Sequence, residues 1–348
     1  MSIKNLSIIL AMAAMLTTLA ACALEETGDP QAEPEPAEST APAEAEKPEP
    51  EPETDPVQVP EAGLQKLDQG EDVKMLQRAL NEIGYSIPEN GMYDEITTWA
   101  VTDFQLQQEN LAALGVFNEE TRTAMESVFS AGEAVEAGAG LPQDVPASGE
   151  GDDTRMLMNP YDQLALVNKQ QALPANYTPQ DMVVPDIAFP FTEDLPKKQM
   201  RATAAAALEE LFAAAEEAGL DLFAQSGYRS YDRQDYLFAS YSEQHGEKAA
   251  NKFSARPGES EHQTGLTMDV TSPEVNFQLT TDFAKTDEGK WLTDHAADFG
   301  FIIRYPKGSE DITGYQYEPW HLRYVGEKAA QAIAEEGITL EEYLGEVE

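Results

Sequence analysis

The chain has 348 residues, which is enough for two modest domains and the segments that connect them. It carries 64 acidic side chains against 22 basic ones, giving a formal net charge of -42. This charge repels phosphate groups, so we expect no nucleic-acid partner. It also opposes electrostatic binding to an anionic membrane. Cys22 is the single cysteine, which excludes an intramolecular disulfide and a cysteine-rich zinc site.

Residues 1–23 have the pattern of an export signal. Lys4 precedes an apolar stretch, residues 8–19, that is too short to span a bilayer comfortably. The run Leu19-Ala20-Ala21-Cys22 then resembles a bacterial lipobox, in which cleavage precedes a cysteine that carries lipid. We expect a lipid anchor on Cys22 that holds the protein at the extracytoplasmic face of the cell membrane, on the cell wall side. Ordinary secretory cleavage around Ala21-Cys22-Ala23 is the alternative.

Residues 24–62 are rich in proline, glutamate and alanine, with repeated Glu-Pro pairs. Such a segment buries too little apolar area to offset its chain entropy, so we predict that it is disordered. Proline and charge repulsion favour an extended chain. We therefore interpret this segment as an acidic stalk.

Residues 63–130 have helical periodicity. Three apolar faces predict a small bundle of three helices. They are formed by Val73, Leu76, Leu80 and Ile83, then by Thr97, Ala100, Val101 and Phe104, and then by Ala124, Met125 and Val128.

Glycine, aromatic and glutamine residues recur around these helices and give the stretch a recognisable pattern. The pattern comprises Gly70, Gln77, Gly84-Tyr85, Gly91, Tyr93, Gln105, Gly115-Val116-Phe117 and Thr121. With these residues the stretch resembles the peptidoglycan-binding domain that accompanies many cell wall hydrolases, which implies wall glycan as a partner. A structural module without a ligand is the alternative.

Residues 131–155 are rich in glycine, alanine and glutamate and are predicted to form a linker. A second domain is expected over residues 156–348. Its patterns predict helices over residues 197–218, 231–252, 291–299 and 327–336, and strands over 220–225, 268–270, 301–305 and 321–325. Helices around a small, mainly antiparallel sheet make this an α+β domain.

Two short motifs in this second domain carry candidate metal ligands. The first is Ser260-Glu261-His262-Gln263-Thr264-Gly265-Leu266-Thr267-Met268-Asp269, and the second is Glu318-Pro319-Trp320-His321. Together they offer two imidazoles, a ligand carboxylate and a spare carboxylate, which is the set that a catalytic zinc site uses. Of the other two histidines, His245 is expected at the surface. His295 is expected to pack on a helix or to lie at the rim of the cleft.

A third motif, Ser226-Gly227-Tyr228-Arg229-Ser230 with Gln234, completes the pattern. Residues 156–345 resemble the VanY-type zinc D-alanyl-D-alanine carboxypeptidases, relatives of VanX. Their core motif Ser-x-His-x-x-Gly-x-x-x-Asp is present at residues 260–269. The motif Glu-x-Trp-His is present at residues 318–321. Thr267 stands where that family often has alanine.

The resemblance implies one Zn²⁺ ion in this domain, bound by His262, Asp269 and His321. It implies that Glu318 is the general base and that Arg229 stabilises the charge that develops on the peptide oxygen.

The resemblance also implies how the substrate is held. Ser260 and Gln234, with Tyr228, would bind the terminal carboxylate, and Trp320 would form part of the cleft wall and core.

The expected activity is removal of the terminal D-alanine from peptidoglycan stem peptides. Three alternatives stay open: L,D-carboxypeptidase action on tetrapeptide stems, D,D-dipeptidase action like that of VanX, and a non-catalytic wall-binding protein. The motifs do not encode the chirality of the penultimate residue. The oligomeric state is not encoded either.

Overall fold

The computed structural model describes residues 57–141 and 154–347. Cys22, the predicted signal and most of the predicted stalk lie outside these residues. All the described residues belong to one compact unit, Thr54–Glu348. Among them, no helix combines the length and apolar character needed to cross a bilayer.

The first part, which we call the helical module (residues 57–141), contains three helices: Glu71–Glu82 (α1), Glu95–Leu106 (α2) and Glu119–Ala131 (α3). Asp94 and Asn118 begin the second and third helices, because their side chains accept backbone N–H groups of the first turn. The three predicted apolar faces pack together in the core of the module. The predicted three-helix domain is confirmed.

A wrapped segment follows the third helix. The sequence assigns residues 131–155 to a linker, yet the described part up to Leu141 packs on the module. The carboxylate of Asp103, which is fully buried, accepts hydrogen bonds from the backbone N–H groups of Gly138, Gly140 and Leu141. The indole of Trp99 also donates to the carbonyl of Leu141. Composition alone did not predict that this segment packs on the module, because the packing comes from side chains that bind its backbone.

The second part, the C-terminal domain (residues 154–347), mixes helices with short strands. Its α-helices are Ala202–Glu217 (α4), Tyr231–His245 (α5), Glu247–Ala250 (α6), Asp287–His295 (α7), Glu310–Thr313 (α8), Glu327–Glu336 (α9) and Leu340–Tyr343 (α10). Its strands are Arg155–Met156 (β1), Gln171–Ala172 (β2), Met182–Val183 (β3), Met200–Arg201 (β4), Phe223–Ser226 (β5), Thr267–Thr271 (β6), Phe301–Tyr305 (β7) and Glu318–Tyr324 (β8). Short 3₁₀ helices lie between them at Pro196–Lys198, Glu261–Thr264, Pro273–Val275, Thr281–Lys285 and Ala296–Phe299.

Four strands form the main sheet, in the order β5-β6-β8-β7, and every neighbouring pair is antiparallel. One face of this sheet packs on helix α4 through Leu208 and Leu211, which contact a core that includes Met268 and Leu322. The predicted α+β class, with a small antiparallel sheet flanked by helices, is confirmed.

Three predicted helices differ in extent from the observed ones. The helix predicted over residues 291–299 is observed as α7, Asp287–His295, followed by the 3₁₀ helix Ala296–Phe299. Helix α4 begins at Ala202, because the preceding residues form a 3₁₀ turn and strand β4. The helix predicted over residues 231–252 is interrupted at Gly246, whose φ of 81° and ψ of 143° are not helical. Glycine adopts this conformation without a steric penalty, so the chain turns there before α6.

The sheet is irregular where the two motifs meet. Ile303 pairs with Leu322, but Tyr305 pairs with Glu318, so two steps along β7 span four steps along β8. Pro319 lies in the extra stretch and has no N–H to donate to a ladder. On its other side β8 pairs with β6, where Asp269 lies opposite His321.

Candidate active site

Three candidate metal ligands meet in one buried place. His262, Asp269 and His321 each offer a ligand atom, and these atoms lie within 4.8 Å of one another. Asp269 is central: its Oδ2 is 3.4 Å from His262 Nε2, and its Oδ1 is 3.2 Å from His321 Nδ1. The structure therefore brings together the three residues that the sequence selected as ligands.

The ring of His262 is oriented by backbone groups. It lies in the 3₁₀ turn Glu261–Thr264, which ends at Gly265 with a left-handed φ of 70°. Its Nδ1–H donates to the carbonyl oxygen of Gly227 at 2.8 Å, which leaves Nε2 facing Asp269. A side chain at position 227 would collide with the carbonyl of Gln199, whose oxygen would lie 2.5 Å from the new Cβ. Glycine therefore permits the approach that holds His262.

The ring of His321 lies between two carboxylates. Its Nδ1 faces Asp269, and its Nε2 is 3.5 Å from Oε2 of Glu261. Glu261 is itself fixed, because its Oε1 accepts hydrogen bonds of 2.7 Å from Arg304 and Arg323. Carboxylate partners of this kind commonly orient histidines that bind a metal.

The donor set fits a small divalent cation. In a tetrahedral zinc site with bonds of about 2.0–2.1 Å, ligand atoms lie roughly 3.3 Å apart. The observed separations of 3.4 Å and 3.2 Å around Asp269 match this spacing. Asp269 Oδ1 is also buried without a hydrogen-bond partner, and a buried acceptor of this kind calls for a compensating group. The residues present therefore suit zinc.

The electrostatics of the two imidazoles differ. Burial and the nearby Arg229 guanidinium lower the pKa of His262 to about 3, which keeps it neutral as a ligand must be. Burial would also lower the pKa of His321, but Asp269 and Glu261 outweigh burial and raise that pKa to about 9. The carboxylates around His321 thus favour positive charge there, which a cation would supply.

Glu318 lies beside this cluster. Its Oε2 is 3.6 Å from His321 Nδ1, although residues three apart in a regular strand face opposite sides of the sheet. The irregular start of β8 makes this approach possible. Burial raises the pKa of Glu318 to about 7. A carboxylate with a pKa near neutral is suited to accept and return a proton.

Arg229 supplies a partly buried cation whose charge interacts with that of Asp269. Its Nη1 donates to Gln234 Oε1 at 2.9 Å, and its Nη2 donates to Ser226 Oγ at 3.3 Å. Burial lowers the pKa of Arg229, while the charge of Asp269 opposes that change. Gln234 is in turn fixed by donating to the carbonyl of Ala255 at 2.6 Å. The geometry places a fixed positive charge on one side of the ligand cluster.

The remaining residues predicted to contact substrate lie in different surroundings. Ser260 is buried and directly precedes the turn that carries His262. Tyr228 is hydrogen-bonded through its hydroxyl to Thr178 at 3.4 Å. Trp320 belongs to the hydrophobic core of the C-terminal domain, which agrees with the expectation that it lies in the core. Their contacts with a substrate stay predictions.

Sequence reasoning missed a buried ionic cluster behind the ligands. Glu261, Arg304, Arg323 and Glu341 are all buried, and Arg304 also donates two hydrogen bonds, of 2.9 and 2.7 Å, to Glu341. A signal was available, because each arginine lies in a strand directly after an apolar residue and before a tyrosine. A charge at such a position needs a buried partner.

The other two histidines do not join the cluster of ligands. His295 is 45% exposed in its side chain, stacks against Trp291 and lies 3.3 Å from Asp298. His245 ends helix α5 and contacts Phe253. The surface position expected for His245 agrees with this arrangement.

Comparisons with known proteins match the two parts separately. The family model for VanY, described as "D-alanyl-D-alanine carboxypeptidase", matches residues 197–327. The family model described as "Putative peptidoglycan binding domain" matches residues 69–125.

Similar proteins align with the C-terminal part of the chain. "Putative carboxypeptidase YodJ" of Bacillus subtilis (strain 168) is 53% identical over 196 residues, which cover 56% of this chain and 72% of that protein. A D-alanyl-D-alanine carboxypeptidase of Enterococcus faecalis (strain ATCC 700802 / V583) is 31% identical over 224 residues, covering 58% of this chain and 78% of the relative. The solved structure of the LdcB LD-carboxypeptidase has 52% identity and a TM-score of 0.55, covering 57% of this chain and 94% of that one. The chain therefore belongs to the VanY family of D-alanyl-D-alanine carboxypeptidases, with a peptidoglycan-binding domain on its N-terminal side.

Proposed function

We propose that this protein is a zinc-dependent carboxypeptidase that releases the terminal D-alanine from peptidoglycan stem peptides. The observation that carries the proposal is the meeting of Glu318 with the cluster of His262, Asp269 and His321. A non-catalytic wall-binding protein would not need a carboxylate with a raised pKa beside three ligands. This arrangement supports a hydrolytic zinc site.

Each residue has a distinct chemical task in this proposal. His262, Asp269 and His321 would hold the ion, which would supply Lewis acidity to the peptide carbonyl and would lower the pKa of water to about 7. Glu318 accepts a proton from the attacking water and returns it to the leaving amine. Arg229 stabilises negative charge on the peptide oxygen, because its guanidinium is already fixed before the reaction.

The terminal carboxylate of the substrate needs donors near the scissile bond. Ser260, Gln234 and Tyr228 are the candidates that we assign to this role. Gln234 Nε2 already donates to the carbonyl of Ala255 and contacts Ser254 Oγ at 3.3 Å, so it fixes Arg229 as well as the adjoining loop. We therefore expect Ser260 to make the more direct contact with the substrate.

The stem peptide itself has two candidates. The VanY family model and the Enterococcus faecalis relative favour a D,D-carboxypeptidase, which would act on pentapeptide stems. The second candidate is an L,D-carboxypeptidase that acts on tetrapeptide stems. It is favoured by the likeness to the LdcB LD-carboxypeptidase. This chain is 52% identical to that protein and 31% identical to the Enterococcus faecalis relative.

The place of action follows from the substrate and from the N-terminal pattern. A protein with a peptidoglycan-binding domain acts on the cell wall side. We propose that lipid on Cys22 anchors it to the membrane and that the acidic stalk extends it toward the wall. Cys22→Ser should abolish incorporation of a labelled fatty acid in a bacterial host, and retained incorporation would contradict the anchor.

The proposed function is tested with purified protein, zinc and isolated muropeptides. Pentapeptide and tetrapeptide stems are incubated separately, and alanine release is followed by mass spectrometry. Release from either substrate supports the proposal, and the preferred substrate assigns the specificity. If the zinc-bound protein releases alanine from neither substrate, the enzymatic proposal is wrong.

A further inference from the structure

The helical module docks directly on the C-terminal domain instead of standing apart from it. Two hydrogen bonds join the two parts at the loop before Gly115, where backbone carbonyls of the module accept from the C-terminal domain. Arg201 Nη2 donates to the carbonyl of Ala113 at 2.6 Å, and the backbone N–H of Gln163 donates to the carbonyl of Leu114 at 2.9 Å. Arg201 is only 1% exposed, so its charge is buried in this contact.

Two further contacts join the same surfaces. Asn159 Nδ2 donates to Thr102 Oγ1 on helix α2 at 2.8 Å, and Lys66 Nζ is 3.2 Å from Asp162 Oδ2. Both side chains of the Lys66–Asp162 pair are mostly shielded from solvent, with 17% and 8% exposure. We call these four contacts the docking contacts.

One path leads from the docking contacts to His321. Asp162 also accepts the backbone N–H of Leu164 at 2.8 Å, which shapes the turn over residues 162–165. Arg323 Nη2 donates to two carbonyls of this turn, those of Gln163 and Ala165, at 2.9 and 3.0 Å. The other terminal nitrogen of Arg323 donates to Glu261, whose second oxygen faces His321 Nε2.

A second path leads to the turn that carries His262. Arg201 lies in β4, and its backbone N–H donates to the carbonyl of Gly265 at 2.8 Å. Its side chain covers Gly265 so closely that an added Cβ there would lie 2.9 Å from Arg201 Cγ. The side chain that binds Ala113 thus also limits how residues 262–265 can move.

We infer that the helical module is a structural part of the catalytic centre, because its docking contacts position His262 and His321. This inference rests on the proposed function. Three residues of the docking contacts are positioning residues, because they act on the two histidines through Glu261 and Gly265. They are Lys66, Thr102 and Arg201. The module then does more than raise the local concentration of substrate. It sets the metal affinity and the turnover of the site, including turnover of a small peptide that the module does not bind.

The test uses substitutions in the full chain, at the residues of the helical module that make docking contacts. Lys66→Glu places a carboxylate against Asp162, and Thr102→Val removes the acceptor for Asn159 while keeping the shape of the side chain. The matched control is Lys74→Glu with Thr98→Val. Lys74 has the same charge, and the Thr98 hydroxyl donates within helix α2 to the carbonyl of Asp94.

Zinc affinity is measured by competition with a chromophoric chelator, and kcat and KM are measured on a soluble stem peptide. For Lys66→Glu/Thr102→Val we expect zinc affinity to fall about tenfold, as for loss of an outer partner of a ligand. We expect kcat to fall about tenfold while KM stays within about twofold, because the catalytic groups are misplaced. The control should match the wild type in all three quantities.

The inference is overturned if the docking variant has the zinc affinity and kcat of its control. If that variant does not fold, the same measurements are made on Arg201→Lys, with Arg233→Lys as its control. Lysine lacks the planar guanidinium with which Arg201 contacts Ala113, Tyr161 and Asp181 together. A wild-type protein without peptidase activity would contradict the proposed function alone. Zinc affinity would still decide the inference.

Discussion

The Nε2 atom of His321 lies 3.5 Å from Oε2 of Glu261, a residue that directly precedes the other candidate histidine ligand. The carboxylate of Glu261 therefore faces His321 across space, while Glu261 itself is joined to His262 by the peptide bond. Glu261 can do this because Arg304 and Arg323 neutralise it at its other oxygen. Their charges outweigh burial and hold the pKa of Glu261 well below its usual range. The position of Glu261 links both ligands to a rigid ionic cluster.

Glu261→Gln should weaken both folding and metal binding. The change removes the negative charge between two buried arginines, and breaking such a cluster costs about 3–5 kcal/mol of the free energy of unfolding. It should also lower zinc affinity about 10- to 100-fold, since an outer partner of His321 is changed. Urea unfolding and chelator competition measure the two effects. Glu335→Gln, an exposed change on α9, serves as the control, and equal stability of both variants would contradict the account.

Glu318→Gln should separate chemistry from metal binding. The amide cannot accept the proton of the attacking water, so kcat should fall about 10²- to 10⁴-fold. Zinc content should stay at the wild-type level, because the three ligands are intact. Substrate turnover and metal analysis on the same sample give both quantities. Glu310→Gln on α8 is the control, and substantial activity in Glu318→Gln would exclude Glu318 as the general base.

Arg229→Lys should slow the reaction without disrupting the fold. Lysine keeps a positive charge but cannot reproduce the paired contacts with Gln234 and Ser226. We expect kcat to fall by about 10² or more, as for loss of one stabilising donor. Steady-state kinetics on the preferred muropeptide measure this effect, with the exposed Arg233→Lys as the control. A change confined to KM would assign Arg229 to uniform substrate binding instead.

The sequence predicted the class of fold and the residues that meet in the buried cluster, because both depend on local patterns. The resemblance to the VanY-type motifs selected His262, Asp269 and His321, and the strand over residues 301–305 and the helix over 327–336 have the predicted bounds. The role of Glu261 could not be predicted in the same way. Its partners Arg304 and Arg323 are 43 and 62 residues distant, and only folding makes them neighbours.

The packing of residues 132–141 on the helical module was also not predicted, for a different reason. A stretch rich in glycine and alanine has little apolar area to bury, so its composition favours a linker. Here backbone N–H groups supply the contacts instead, and the acceptor, Asp103, appears in the sequence as one acidic residue within a helix. Side chains that bind distant backbone leave no periodic signal.

Asp103→Asn should loosen this wrapped segment. The new NH₂ group would face backbone N–H donors and the Tyr85 hydroxyl, which now donates to Asp103 at 2.8 Å. Leaving such buried donors unpaired should lower the free energy of unfolding by about 1–3 kcal/mol. Hydrogen exchange at Gly140 and Leu141, together with urea unfolding, measures the loss. The exposed Asp72→Asn is the control, and equal protection of these amides in both variants would contradict this role of Asp103.

The most direct test of the account is to titrate zinc into chelator-treated protein while measuring alanine release from its preferred muropeptide. If His262, Asp269 and His321 form the catalytic centre, release should be absent at first and should rise in proportion to bound zinc. It should reach a plateau at about one ion per chain, as expected for a single site with three protein ligands. His262→Ala should show no such rise. Full release by the chelator-treated protein, or by His262→Ala, would show that these residues do not form a zinc-dependent catalytic centre.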